Sequence, residues 1–148
     1  MTPSVEAVLC SLAAEMAEIA PQVQPAYCGA QLVFASQLLT AASESWENAA
    51  HDLVEENQAL RQLFRKLTPL VADSDLVLRL QAGIDSLDSN LRISALTATN
   101  EELRQLLTDL HAIVELIDSE AGREAEDAIW SEISASVRRR QRSSDMYS

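Results

Sequence analysis

Aromatic side chains make up only 4% of the chain, and three glycines and four prolines are spread over 148 residues. A β-protein draws on aromatic and β-branched residues and turns often, so this scarcity excludes an all-β fold. The two cysteines, Cys10 and Cys28, have no CxxC spacing and are too few for a disulfide framework. No run approaches the ~18 consecutive apolar residues of a membrane span. Lysine occurs once, as Lys66. What remains is a 47% hydrophobic content carried by Leu, Ala, Ile and Val, which is normal for a folded protein. The expected class is all-α.

The net charge is −12, from 11 basic and 23 acidic residues. Four of the basic residues, Arg138, Arg139, Arg140 and Arg142, lie close to the C-terminus. The rest of the chain is more acidic still and repels phosphate backbones, so nucleic-acid binding would rest on that tail alone and is not expected. Glu6, Glu15 and Glu18, with no early Lys or Arg, read against a signal peptide. Unpaired cysteines fit a reducing, cytoplasmic location.

Apolar periodicity supplies the helices. Val5, Val8, Leu9, Leu12, Met16 and Ile19 recur at three- and four-residue steps, with Thr2 as N-cap and Pro3 at the first helical position. Pro21 and Pro25 form a connector. From Ala26 a heptad begins: Leu32, Leu39, Trp46, Leu53, Leu60 and Leu67 at position a, and Ala35, Ala42, Ala49, Glu56, Leu63 and Leu70 at d. Pro69 ends it, and Asp73 or Ser74 caps the next helix. Leu76, Leu80, Ile84, Leu87, Leu91 and Ala95 form the third stripe. After a phase slip Leu96, Leu103, Leu110 and Ile117 resume a heptad, with Leu106 and Ile113 at d. Absence of Gly and Pro at the slip favours a stutter within one continuous helix over a break at Asp88-Ser89-Asn90. Ser119 caps a sparse last helix carrying Ala125, Ile129, Ile133 and Val137.

The expected architecture is an antiparallel helical bundle with two long central helices and shorter N- and C-terminal helices. Residues 1–137 would form a single domain and 138–148 a basic, disordered tail. One internal echo stands out. Asn57, Leu60, Arg61, Gln62 and Leu63 recur as Asn100, Leu103, Arg104, Gln105 and Leu106, in the same heptad phase. Convergence among common helix formers is the simpler explanation, with an internal duplication as the alternative. Both asparagines sit at position e, where a polar residue beside the apolar seam would set register.

Few residues carry a chemical signal. Glu47, His51 and Glu55 are spaced i, i+4, i+8 and line one helix stripe, which makes them the metal-ligand candidates. His111 and Glu115 are a thinner second pair. Neither matches the Glu-x-x-His of di-iron bundles, and the first group lies opposite the a/d seam, as a solvated face would. No Gly-x-Ser-x-Gly elbow or glycine-rich phosphate loop occurs. Cys10 reads as a small buried hydrophobe, and Cys28, near a helix start, lacks a neighbouring base. Trp46 reads as core filling among alanines, or as the wall of a small pocket. The arginines of the tail would complement the negative end of the last helix while staying solvated.

The expected function is a non-enzymatic interaction or assembly module, adaptor- or chaperone-like, with no cofactor and an unidentified protein partner. The alternative is a metal- or small-ligand-binding bundle with some enzymatic capacity. If the two central helices were continuous, the short terminal helices would cover only half of them. Leu60, Leu63, Phe64, Leu67 and Val71 would then be exposed and would form the interface of a homodimer.

Overall fold

The computed structural model describes residues 3–142, without the side chains of residues 47, 141 and 142. Its helices are α1 (Val5–Ile19), α2 (Ala26–Leu67), α3 (Ser74–Asp85), α4 (Ile93–Val114) and α5 (Glu120–Arg142), with short 3₁₀ turns at Ala20–Gln22 and Thr68–Leu70. There is no strand among the described residues, and no helix is long and apolar enough to cross a membrane. The all-α expectation holds.

The ends of the helices follow from capping chemistry. Ser4 caps α1 by accepting a bond from the Ala7 amide at 3.2 Å. The expected cap Thr2 lies outside the described residues, and Pro3 precedes the helix. Asp73 Oδ1 accepts from the amides of Asp75 and Leu76 at 2.9 and 3.2 Å and so starts α3. Ser119 Oγ accepts from the Gly122 amide and starts α5. Gly122 also meets the preceding turn so closely that a Cβ there would stand 2.1 Å from the Ile117 carbonyl oxygen.

Contacts divide the chain into two compact units, residues 50–142 and a unit built from residues before 50. In the larger one the C-terminal part of α2 joins α3, α4 and α5. Successive helices run antiparallel, as the paired contacts Arg61–Ser86 with Arg65–Ile84, Arg79–Asp109 with Gly83–Leu106, and Arg104–Ser136 with His111–Trp130 show. The result is an up-down-up-down four-helix bundle, with α2 and α4 pointing the same way. Its core takes Leu60, Leu63, Phe64 and Leu67 from α2, Leu76, Leu80 and Ile84 from α3, Leu103, Leu106, Leu110 and Val114 from α4, and Ala125 and Ile129 from α5. The heptad of α4 and the C-terminal part of the α2 heptad are therefore core stripes.

Two expectations about this unit are corrected. The third helix is not continuous: residues 86–92 separate α3 from α4. No Gly or Pro is needed, because side chains satisfy the backbone there. Ser86 Oγ donates to the Gly83 carbonyl at 2.7 Å, and Asn90 Oδ1 accepts from the Arg92 amide at 3.1 Å. Leu87 and Leu91, which would have continued the core stripe, are exposed. The break folds α4 and α5 back over α2. Leu60, Leu63, Phe64, Leu67 and Val71 are consequently buried within one chain, with Phe64 fully so, and none is free to form the expected dimer interface.

The smaller unit pairs α1 with the first part of α2 as an antiparallel hairpin. Its seam is made of small residues. Ser36 Oγ donates to the Ala13 carbonyl at 2.8 Å, and Ser43 Oγ lies 3.3 Å from Cys10 Sγ. At the turn a Cβ on Gly29 would stand 2.6 Å from the Ala20 carbonyl oxygen, so only glycine permits that approach. Many large apolar residues of this unit are exposed: Val5, Val8, Leu12 and Ile19 on α1, and Tyr27, Val33, Phe34 and Leu38 on α2, while Leu9, Met16, Leu32 and Leu39 are half-buried. Trp46, expected as core filling, is 51% exposed, and Cys10, expected to be buried, is exposed.

Candidate functional site

A polar network crosses the four-helix unit beneath the α3–α4 break. Asn57, on α2, donates through Nδ2 to Asp88 Oδ1 at 3.0 Å and accepts on Oδ1 from Asn100 Nδ2 at 3.0 Å. Arg61, one turn later, donates to both Asp88 oxygens at 2.7 and 3.0 Å and to the Ser86 hydroxyl. Arg61 and Asp88 side chains are 7% and 9% exposed. The Arg61 hydrogen bonds hold the Asp88 carboxyl below its usual range, against the upward push of burial. A groove of about 610 Å³ opens over this network, lined by Val54, Gln58, Arg61, Arg65, Ile84 and Leu87 among others.

A second charged cluster surrounds Glu56, a carboxylate at a core heptad position. Burial pushes its pKa up, but Arg140, the Ser136 hydroxyl and Arg104 together bring it below the usual value. Arg104 Nη1 donates to Glu56 Oε1 at 2.7 Å, and Ser136 Oγ donates to the same oxygen at 3.0 Å. Arg140 reaches it at 3.3 Å, and Arg139 pairs with Glu132. Residues 138–142 thus extend α5, and two of the arginines expected to stay solvated bind the chain's own carboxylates. The remaining tail, 143–148, lies outside the described residues.

These two clusters are internally matched. Among the described residues only two buried side-chain polar atoms lack a hydrogen-bond partner, Glu44 Oε2 and His111 Nε2. Engaging the buried donors and acceptors in this way fixes the packing of the four helices.

His111 differs. It lies near the end of α4, with Glu115 Oε1 3.6 Å from Nε2, too far for a hydrogen bond. Glu126 on α5 comes to the same place, and one ligand atom from each of the three residues falls within 4.8 Å of the others. The Trp130 ring stands edge-on to the imidazole, centroids 5.4 Å apart at 89°. The sequence pointed to His111 and Glu115 only as a thin pair. Glu126 was missed because no spacing along the chain links it to α4.

The stronger metal candidates on the sequence fare differently. His51 and Glu55 approach to 3.6 Å with side chains 71% and 45% exposed, and the Glu47 side chain lies outside the described residues. His51 does not join the His111 group.

No protein-family model matches the chain, and no curated protein or solved structure is similar to it.

Proposed function

We propose that the chain is a non-enzymatic interaction module, adaptor- or chaperone-like, which docks a basic amphipathic helix of a partner protein on its N-terminal hairpin. The observation that carries this reading is the apolar surface left exposed on the hairpin. Small residues fill the seam, and Val8, Leu12, Phe34, Leu38 and others remain exposed. A two-helix unit so built buries little apolar area of its own, and exposed apolar faces of this kind mark association surfaces.

Charge selects the occupant. The first 50 residues contain Glu6, Glu15, Glu18, Glu44 and Glu47 and no Lys, Arg or Asp. A second copy would bring the same five carboxylates and repel, and an anionic lipid surface would repel as well. A helix with an apolar stripe flanked by Lys or Arg complements both features. This choice replaces the homodimer through Leu60–Val71. The two free cysteines support action in the reducing cytoplasm.

The test uses two synthetic helices of about 20 residues with the same leucine stripe, one flanked by Lys and Arg and the other by Glu. Calorimetry should detect binding of the basic helix alone, lost in the double variant Phe34→Glu, Leu38→Glu with helicity unchanged. Failure of the basic helix to bind would overturn the proposal. So would a stable dimer at micromolar concentration that the same double variant dissociates.

A further inference from the structure

We infer that His111, Glu115 and Glu126 form a binding site for one divalent transition-metal ion, Zn²⁺ in the first instance, joining the end of α4 to the start of α5. Three observations converge on it. The His111 Nε2 atom is buried and unpaired, which folded proteins seldom leave without a ligand, water or ion to meet it. Glu115 and Glu126 have no hydrogen bond or ion pair to any Arg or Lys among the described residues, unlike Glu56 and Asp88. The three ligand atoms already lie within 4.8 Å of one another.

An ion bound at ~2.0–2.2 Å from each would bring its ligands to roughly 3.4 Å apart in a tetrahedral site. Each glutamate has rotatable side-chain bonds with which to close that difference. Glu115, the C-cap residue of α4, follows His111 by one helical turn, so the end of that helix supplies two ligands, and α5 supplies the third.

The ligand set decides the class of ion. One imidazole with two carboxylates suits Zn²⁺, Mn²⁺ or Fe²⁺, whereas Ca²⁺ and Mg²⁺ favour oxygen alone. Two carboxylates and a neutral imidazole balance the charge of a divalent ion. Three protein ligands leave a fourth position for water. Edge-on contact with Trp130 limits rotation of the imidazole and places an indole beside the metal as a reporter. This site is independent of the hairpin and of its proposed partner.

The experiment is a Zn²⁺ titration of chelator-treated full-length protein in a Cys10→Ser, Cys28→Ser, Trp46→Phe background, which removes thiol ligands and leaves Trp130 as the one tryptophan. Trp130 fluorescence and the thermal midpoint are followed together, with Mn²⁺ and Mg²⁺ as comparison ions. One equivalent of Zn²⁺ should change the fluorescence and raise the midpoint. His111→Ala and Glu126→Gln should each weaken binding at least tenfold, and His51→Ala should leave it unchanged. Glu126→Gln keeps the side-chain volume, so it stays informative if His111→Ala disturbs the fold. A midpoint indifferent to Zn²⁺, or binding unaltered by Glu126→Gln, would overturn the site. Equal binding of Mg²⁺ would also overturn it.

Discussion

Asn57 and Asn100, the corresponding asparagines of the two echoed segments, are hydrogen-bonded to each other at 3.0 Å inside the four-helix unit. Because α2 and α4 point the same way, the leucines that follow each of them enter one core: Leu60 and Leu63 with Leu103 and Leu106. The arginines that follow diverge. Arg61 turns to Asp88 and Arg104 to Glu56. An asparagine pair between helices of the same direction penalises slipped alignments, as in parallel coiled coils.

Replacing Asn57 with Leu should therefore lower stability. The substitution adds apolar surface but leaves Asn100 Nδ2 and one Asp88 contact without their partner. Unsatisfied buried groups cost about 1–3 kcal/mol each, more than one leucine returns in so polar a setting. Urea unfolding should show a lower midpoint. A more stable variant would mean that the pair serves register alone.

Asp88 and Asp109 allow a contrast between ion pairs. Asp88 is paired with Arg61 in near-complete burial, whereas the Arg79–Asp109 side chains are 47% and 30% exposed. Asp88→Ala should cost about 3–5 kcal/mol by stranding a buried guanidinium. Asp109→Ala should cost about 1 kcal/mol or less. Equal losses in denaturant melts would show that Arg61 finds water when its partner is removed.

Acid should unfold the protein through the same groups. Folding depresses the carboxyls of Asp88 and Glu56, so each contributes stability that is present above the unfolded value, near 4. That contribution is lost as pH falls through the lower folded value. Glu132 runs the other way: burial raises it, Arg139 opposes this, and the charge on Glu56 adds to the rise. Its protonation on acidification relieves the folded state. Stability should then fall steeply only below about pH 4, and Asp88→Asn should flatten that fall. An unchanged slope in the variant would remove Asp88 from the acid transition.

The helices were legible in the sequence where apolar residues repeat, and the core follows the heptads in α4 and in α2 from Leu60 onward, whereas Trp46, earlier in the α2 heptad, is exposed. The break at residues 86–92 was not, because it rests on side chains of Ser86 and Asn90 that bond local backbone, with no Gly or Pro to announce it. That omission displaced everything after it. An unbroken third helix leaves Leu60 to Val71 bare, whereas the broken one covers them. At the site, Asn57 and Asn100 were visible as polar residues beside a seam, and Glu56 as a carboxylate within one. Their partners Asp88, Ser136 and Arg140 come from distant segments, which periodicity cannot connect. Glu126 escaped for the same reason.

Gly122→Ala should destabilise the start of α5. The new methyl would stand 2.1 Å from the Ile117 carbonyl oxygen, a backbone atom that cannot rotate aside. Overpacking of this kind costs about 1–3 kcal/mol. Gly83→Ala meets a mobile Leu106 methyl at 2.8 Å and should be milder. Thermal melts of the two variants give the order directly, and the reverse order would show that the α4–α5 turn yields.

The chain has two phenylalanines, both on α2, and they should respond oppositely to substitution. Phe64 is fully buried among leucines of the four-helix core, while Phe34 is 62% exposed on the hairpin. Phe64→Ala leaves a cavity and should cost about 3–5 kcal/mol, and Phe64→Glu should unfold the four-helix unit rather than release monomers from a dimer. Phe34→Ala removes a ring that touches little within the chain and should change stability by about 0.5 kcal/mol or less. It should instead weaken binding of the basic amphipathic helix, because an aromatic anchor contributes most where a partner desolvates it. Melts and calorimetry on the same two alanine variants separate folding from docking. If Phe34→Ala destabilises the free protein as much as Phe64→Ala does, its ring is already engaged, and the hairpin has no open face to offer a partner.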